Sequence, residues 1–476
     1  MNISFFFGEI DGRRSETRME EDDEKLETFL QWAANLGVTD SPSVSRKQAA
    51  SCLGESLVVS CFPDAGGRGL AAARELKRGE VFLRVPKAAM LTRENVLEDP
   101  SLALAVKKYC QLSSAQILVV CLLAEVGKGR NSRWAPYLMQ LPRIYNTLPN
   151  FAQFETQALQ VDIAIWTSEK AVSKVQSEWK EVLLLMQEVG LNPRLFTFKS
   201  WLWASATVST LTMHIPWDDA GCLCPVGDLA NYAAPEDELH STEENVDNSP
   251  KLTDGIYEKE LAAYCFYARK NYRKGEQILL CYGTYTNLEL LEHYGFVLDT
   301  NPSDKAFIPL GADIQLCSPW ASETLYIQQD GKPSFALLST LRIWATPRKL
   351  RKTHQHQTYS GELLSVENEM AVMNWLAKKC LDVLNILPTT LEEDRLLLQA
   401  IGKLRLEKTV VFKGGEPELI RFFQAHGLQE GDQLTNKVLA SKERWELAVR
   451  WRYMYKRTIS NCVSHCNQKV LDLSSK

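Results

Sequence analysis

The sequence predicts an α+β protein in which small β units are split by a block of helices and followed by an all-helical C-terminal region. Two observations predict it. Short apolar runs bounded by turn residues are confined to Leu57–Val85 and Ala262–Cys281, whereas Ser113–Met213 and nearly everything beyond Asn301 place apolar side chains at helical spacing. The chain has 476 residues, enough for two to three domains with cores of their own.

The elements follow in order. After a polar start, Leu26, Phe29, Leu30 and Ala33 give Lys25–Leu36 the spacing of a short amphipathic helix that stops at Gly37. Leu57–Cys61, Gly69–Ala73 and Val81–Val85 then read as three short strands, separated by turn signals at Pro63–Gly67 and Lys77–Gly79. Helices are expected over Ser113–Val126, Phe151–Ile165, Glu169–Glu188 and Lys199–Met213, with Trp179, Leu183 and Met186 in one apolar stripe. Strands resume at Ala262–Ala268 and Gln277–Cys281, the second just after an Arg273–Glu276 turn. Pro235–Asp254 holds seven acidic residues and one lysine with almost no bulky apolar side chain, and reads as a surface loop. The tail is expected to fold as helices over Glu362–Leu387, Leu391–Leu404, Glu416–His426 and Asn436–Lys456. The resulting division is a polar segment with its helix over 1–50, a first domain over 55–300 whose helical insertion spans about 94–203, and a helical domain over 301–476.

Composition narrows the function. A net charge of −5 argues against a protein dedicated to nucleic acid, whose backbone is bound by clustered cations. Twelve cysteines scattered along the chain fit a reducing compartment where they act as small core residues, so no disulfide framework is expected. Cys222 with Cys224, and Cys462 with Cys466, lack second pairs at zinc-site spacing, and no metal is expected. There is no run of eighteen apolar residues, and Glu20–Glu24 is almost solid carboxylate, unlike a transit peptide. The expectation is an intracellular protein of cytoplasm or nucleus, without a membrane.

Gly67-Arg68-Gly69-Leu70-Ala71-Ala72 formally matches a dinucleotide fingerprint. Its context does not, because a long helix and then a strand ending in an acid should follow, whereas Val81–Val85 runs into Pro86 and Lys87. The better reading is a strand whose glycines let a ligand approach the backbone. Downstream, in fixed order, come Asp228-Leu229-Ala230-Asn231-Tyr232, Cys281-Tyr282-Gly283-Thr284 and His293-Tyr294-Gly295-Phe296. Taken singly, these permit a turn-forming Asn, an N-capping Asp and core aromatics.

Taken together, Gly-Arg-Gly-Leu, a strand ending in Val-Pro, Asp-x-x-Asn, Gly-Glu-x-x-x-x-Cys-Tyr-Gly and Tyr-Gly-Phe resemble the SET-domain protein methyltransferases. Within them the chain is most similar to the Rubisco large-subunit methyltransferase branch, as a plant member other than the Rubisco enzyme itself. The resemblance implies a SET β-fold split by a helical insertion, a helical substrate-binding domain behind it, S-adenosyl-L-methionine as cofactor and a protein as substrate. It implies that Tyr282 is the catalytic tyrosine, that Gly67, Arg68, Gly69, Asn231, Tyr232, Tyr282 and Phe296 meet the cofactor, and that Asp228 and Tyr294 line the substrate channel.

The chemistry is compatible with such residues. Methyl transfer from a sulfonium to an amine is an in-line displacement, so catalysis is mostly positioning and desolvation. An aromatic channel favours the neutral, nucleophilic amine over a lysine ammonium that otherwise titrates near 10.4.

The chain departs from the branch twice. Tyr232 follows Asn231 where a histidine is usual, and Leu211 stands where an arginine typically pairs with the cofactor carboxylate. Loss of one charge-assisted hydrogen bond costs about 1.5 to 3 kcal/mol, so cofactor binding is expected to be weaker. The expected function is protein-lysine N-methylation. The alternatives are a histidine acceptor, or a weakly active SET-fold module that binds proteins. The arginines and aromatics of Arg444–Arg457 are expected to form a packed helix rather than a nucleic-acid stacking surface.

Overall fold

The protein's computed structural model describes residues 16–41, 51–62, 67–235, 254–407, 410 and 416–475. It is an α+β fold, as expected, in two compact units: Met1–Asn150 with Lys170–Thr284, and Phe151–Glu169 with Tyr285–Lys476.

Among the described residues the first unit holds nine strands. They are β1 (Leu57–Phe62), β2 (Gly67–Ala72), β3 (Val81–Pro86), β4 (Thr212–Ile215), β5 (Asp218–Leu223), β6 (Asn231–Tyr232), β7 (Gly255–Glu258), β8 (Ala263–Tyr267) and β9 (Gln277–Leu280). They form three small sheets with the orders β1-β2-β9-β6, β3-β8-β7 and β4-β5. All pairings are antiparallel except β6 with β9. The three N-terminal strands stand where the sequence placed them, but β3 leaves the sheet of its neighbours and pairs with β8 instead.

Side chains from these sheets, among them Leu57, Leu70, Phe82, Leu83, Val85, Phe266 and Ile278, share one core with the helices of the insertion. Helix Ser114–Lys128 is buried on most of its circumference, and Leu118, Leu122, Leu123 and Val126 are fully enclosed. Each such side chain contributes about 1.5 to 3 kcal/mol of transfer free energy. Its start is fixed by a capping box between Ser113 and Gln116. Trp201 of helix Phe198–Leu211 is fully buried, its indole N–H donating to the Val175 carbonyl at 3.2 Å.

Asp40 anchors the entry to β1. One of its carboxylate oxygens accepts backbone N–H groups of Gly54, Glu55, Ser56 and Leu57 at 2.8 to 3.0 Å. Asp40→Ala would leave the Ser56 and Leu57 donors buried without a partner. It is expected to lower local stability by about 3 kcal/mol, measured as a loss of hydrogen-exchange protection in peptides that cover Leu57–Phe62.

The second unit is helical, with Phe335–Ala345, Arg351–Tyr359, Val366–Ile386, Leu391–Glu407, Pro417–Ala425 and Asn436–Ser474 joined by one small ladder, β10 (Lys305–Ala306) with β11 (Ile327–Gln328). Trp445, Ala448, Arg452 and Tyr455 of the last helix are buried, and the Trp451 and Tyr455 rings stack with centroids 5.6 Å apart. Arg452 departs from the expected snorkelling arginine, because its guanidinium is enclosed and paired with Asp394 at 2.7 Å.

Several boundaries also differ from the sequence reading. The two helices expected over Phe151–Ile165 and Glu169–Glu188 are a short helix Gln153–Gln157 and one continuous helix Asp162–Glu188, since nothing between Ile165 and Glu169 breaks a helix. Helix Phe198–Leu211 stops early, where the chain turns into β4. The last helix runs eighteen residues past Lys456, held by the buried Ile459, Cys462 and Cys466. Of the acidic segment Pro235–Asp254, residues 236–253 lie outside the described residues.

Candidate active site

The site starts at β2. Strand alternation puts Leu70 and its partner Ile278 into the core, so Gly69, Ala71, Gln277, Leu279 and Asn231 share the opposite face. Gly67 has a φ of +88°, which favours glycine at the head of the strand. Gly69 is required for a different reason. A Cβ there would lie 2.7 Å from Nδ2 of Asn231 and 3.2 Å from Nε2 of Gln277. Those two amide nitrogens are buried and have no hydrogen-bond partner among the described residues. Two polar side-chain atoms therefore converge on the bare α-carbon of Gly69, each at a cost of about 1 to 3 kcal/mol until something pairs with it. Whichever way an amide is turned, a buried polar atom faces this place. The donor set fits a ligand rich in hydrogen-bond acceptors lying close to the backbone, as S-adenosylmethionine is.

Beyond Asn231 the chain assembles a phenol and carboxyl cluster. Asp228 sits in the single turn Gly227–Leu229 that leads into β6. Its carboxyl accepts a hydrogen bond of 2.5 Å from the Tyr137 hydroxyl. Burial pushes the Asp228 carboxyl up to about 7, against the opposing effects of the Tyr137 hydrogen bond and the Arg68 charge. The Arg68 guanidinium itself is held by Gln140, through its side-chain oxygen at 2.8 Å and its carbonyl at 3.2 Å.

Tyr282 follows the last residues of β9, and its hydroxyl donates to the Ala230 carbonyl at 2.5 Å. Burial, and then the charge of Asp228, raise its pKa, so the phenol keeps its proton. The Tyr232 ring packs on Tyr282 with centroids 5.3 Å apart, and its hydroxyl donates to the Gly283 carbonyl at 3.0 Å. Tyr232 thus ties β6 to the segment carrying Tyr282. Leu211 packs against the core, and the nearby His214 is exposed on β4.

Gly67, Arg68, Gly69, Asp228, Asn231, Tyr232 and Tyr282 all belong to the first unit. Tyr294 and Phe296 belong to the second, just after helix Asn287–His293. There Tyr294 lies 5.4 Å from the Tyr285 ring and 6.2 Å from Phe296, an aromatic group of its own.

Two members of the first-unit site escaped sequence reasoning. Tyr137 is one tyrosine in a four-residue helix, Ala135–Leu138, with no motif around it. Gln277 opens a strand in the sequence, and a long polar amide at that end of an otherwise apolar run is a usable signal. Among the described residues no group of three or more His, Cys, Asp and Glu is placed to hold a metal ion, and no helix is long and apolar enough to cross a membrane.

Residues 67–283 match the SET domain model, and residues 290–459 match the Rubisco LSMT substrate-binding model. Together these models take in most of the chain, and Protein SET DOMAIN GROUP 40 of Arabidopsis thaliana is 49% identical over 96% of this chain and 98% of its own. The chain belongs to the SET-domain family. It is an S-adenosylmethionine-dependent protein methyltransferase of the Rubisco LSMT-like branch. The mouse actin-histidine N-methyltransferase is 24% identical over 74% of the chain, which spans 62% of that relative. Among solved structures, Rubisco LSMT bound to sinefungin and monomethyllysine shares the fold with a TM-score of 0.59, at 20% identity over 95% of this SET protein and 93% of that chain.

Proposed function

We propose that the protein methylates a lysine side chain of a protein substrate, with Tyr282 as the catalytic residue, Asn231 and Gln277 as cofactor contacts beside Gly69, and Asp228 facing the substrate nitrogen. S-adenosylmethionine supplies the methyl group as an activated sulfonium. The observation that carries the assignment is the pair of unpartnered amide nitrogens over Gly69, on the sheet that also presents Tyr282.

The chain's own contribution is positional. Gly67 and Gly69 keep β2 open to a close backbone approach, and Arg68 is drawn aside by Gln140, so its backbone rather than its guanidinium meets the cofactor. The Tyr282 phenol, held protonated by its surroundings, orients and stabilises rather than removing a proton. In the second unit, Tyr294 and Phe296 form an aromatic pair of the kind that packs on an adenine or an apolar substrate side chain. The substrate is a protein, by the match to a substrate-binding domain. Arg444, Arg452 and Lys456 are engaged in ion pairs within the helical unit, which supports a tail that packs rather than binds nucleic acid. The twelve free cysteines support an intracellular compartment, cytoplasm or nucleus.

Titration calorimetry with S-adenosylmethionine tests the cofactor site. Asn231→Ala and Gln277→Ala are each expected to weaken binding about 10-fold or more, and Leu211→Arg to strengthen it. Absence of binding to the folded wild type at millimolar cofactor would overturn the enzyme reading and favour a protein-binding module. A histidine acceptor is the second reading, favoured by an acidic group beside Tyr282 that suits an imidazole N–H, and by the actin-histidine relative. Mass spectrometry of the methylated product separates the two.

A further inference from the structure

The Asp228 turn is aimed by unusual means. Val226, fully buried and β-branched, has φ +71° and ψ −44°, close to the rare γ-turn geometry that costs backbone strain. Such strain persists only where the surroundings over-determine it. Here the Asp228 N–H donates to the Cys224 carbonyl at 3.0 Å, and the side chain is caught by the phenol of Tyr137. Tyr137 is 1% exposed, with its ring 6.1 Å from Phe29, so the phenol has little freedom to point elsewhere.

We infer that Tyr137 is a positioning residue for Asp228, fixing both the orientation and the charge of the carboxylate that faces Tyr282. The inference rests on the reading of this cluster as the substrate end of the active site. Tyr137 touches none of the reacting atoms and acts through Asp228 alone. The other groups facing that carboxylate are the Arg68 guanidinium, the Tyr145 and Tyr282 phenols and the Cys224 thiol. Of these only Arg68 carries a charge that favours the ionised form, and Gln140 holds its guanidinium. The Tyr137 hydroxyl is the side-chain donor bound directly to Asp228, beside the backbone N–H of Asp228 itself. A donated hydrogen bond stabilises the carboxylate over the acid, so its removal must move protonation of Asp228 to higher pH.

An infrared titration reads this without a substrate. The carboxylic C=O band of Asp228, assigned by its disappearance in Asp228→Asn, is followed against pH in the full-length protein. Tyr137→Phe is expected to raise the midpoint by about one to two pH units, the equivalent of one charge-assisted hydrogen bond. Replacement of Tyr137 by 3,5-difluorotyrosine makes the phenol a stronger donor at almost unchanged shape, and is expected to lower the midpoint. This second variant keeps the test open if the phenylalanine variant fails to fold. With a methylatable substrate, the acid limb of kcat/KM moves in the same two directions, whereas a merely structural role lowers the rate at every pH and leaves the limb in place. Unmoved midpoints in a folded variant overturn the inference even if methyl transfer is found. Shifted midpoints sustain the Tyr137–Asp228 coupling even if the transfer activity is not detected, so the two readings fail separately.

Discussion

Tyr282→Phe is expected to lower kcat for methyl transfer by about 100- to 1000-fold, the usual cost of removing one preorganised polar group from a transition state. The affinity for S-adenosylmethionine should change far less, because the ring and its packing on Tyr232 survive the substitution. The size of the effect follows from how firmly the hydroxyl is held. It is anchored to the Ala230 carbonyl at the start of β6, one residue before Asn231, so cofactor contact and catalytic phenol share a single stretch of backbone. Both burial and the neighbouring Asp228 oppose ionisation of the phenol, which makes it a poor proton acceptor and a dependable dipole. Single-turnover kinetics with saturating cofactor measure the step directly. A variant that retains the wild-type rate would reduce Tyr282 to a packing residue and transfer the burden to Asp228.

The part of this site that was legible in the sequence is the part built from local backbone requirements. Gly69 is demanded by the approach of Asn231 and Gln277, and Gly67 by a positive φ, so both had to be glycine and both were visible as a motif. Asn231 is paired within the β6–β9 ladder and Tyr282 lies two residues past the end of β9, so both hold a fixed offset from strand ends, which is why their motifs travel together. Tyr137 was invisible for the opposite reason. It reaches Asp228 across 91 residues of chain from a single helical turn, and no periodicity encodes such a contact. The β4–β5 hairpin was missed because Thr212–Ile215 continues the apolar pattern of the preceding helix, and only the pairing with Asp218–Leu223 decides between helix and strand there. The same limit applies to Asp162–Glu188, where spacing alone read two helices and packing keeps one.

The largest stability effect is expected at Asp394, whose carboxylate is fully enclosed in the helical unit. One oxygen accepts from Nε and Nη2 of Arg452 at 3.0 and 2.7 Å and from the Thr389 hydroxyl at 2.7 Å, and the other accepts from Lys456 at 2.7 Å. Arg452 and Lys456 are four residues apart on one helix face, a like-charge pair that would be unfavourable without an anion between them. The remaining donors are also used. Arg452 reaches the Ala158 carbonyl and Glu418, and Lys456 reaches Gln160 and Thr389, so neither cation can turn toward water without breaking several bonds. Burial lowers the Lys456 pKa, and it is chiefly Asp394 that offsets this. Asp394→Ala strands the enclosed Lys456 and leaves Arg452 with Glu418 alone, and is expected to cost about 3 to 5 kcal/mol, whereas Arg395→Ala, which breaks an exposed pair with Glu392 on the same helix, should leave stability nearly unchanged. Hydrogen exchange read by mass spectrometry suits a protein of two units, in which a single unfolding midpoint is not a defined quantity. Protection should collapse in peptides from Leu391–Glu407 and Asn436–Ser474 in the first variant and persist in the second. Replacing Asp394, Arg452, Lys456 and Glu418 together with apolar side chains of similar volume should restore much of the loss, because the network secures the helices mainly by never leaving one ion unpaired.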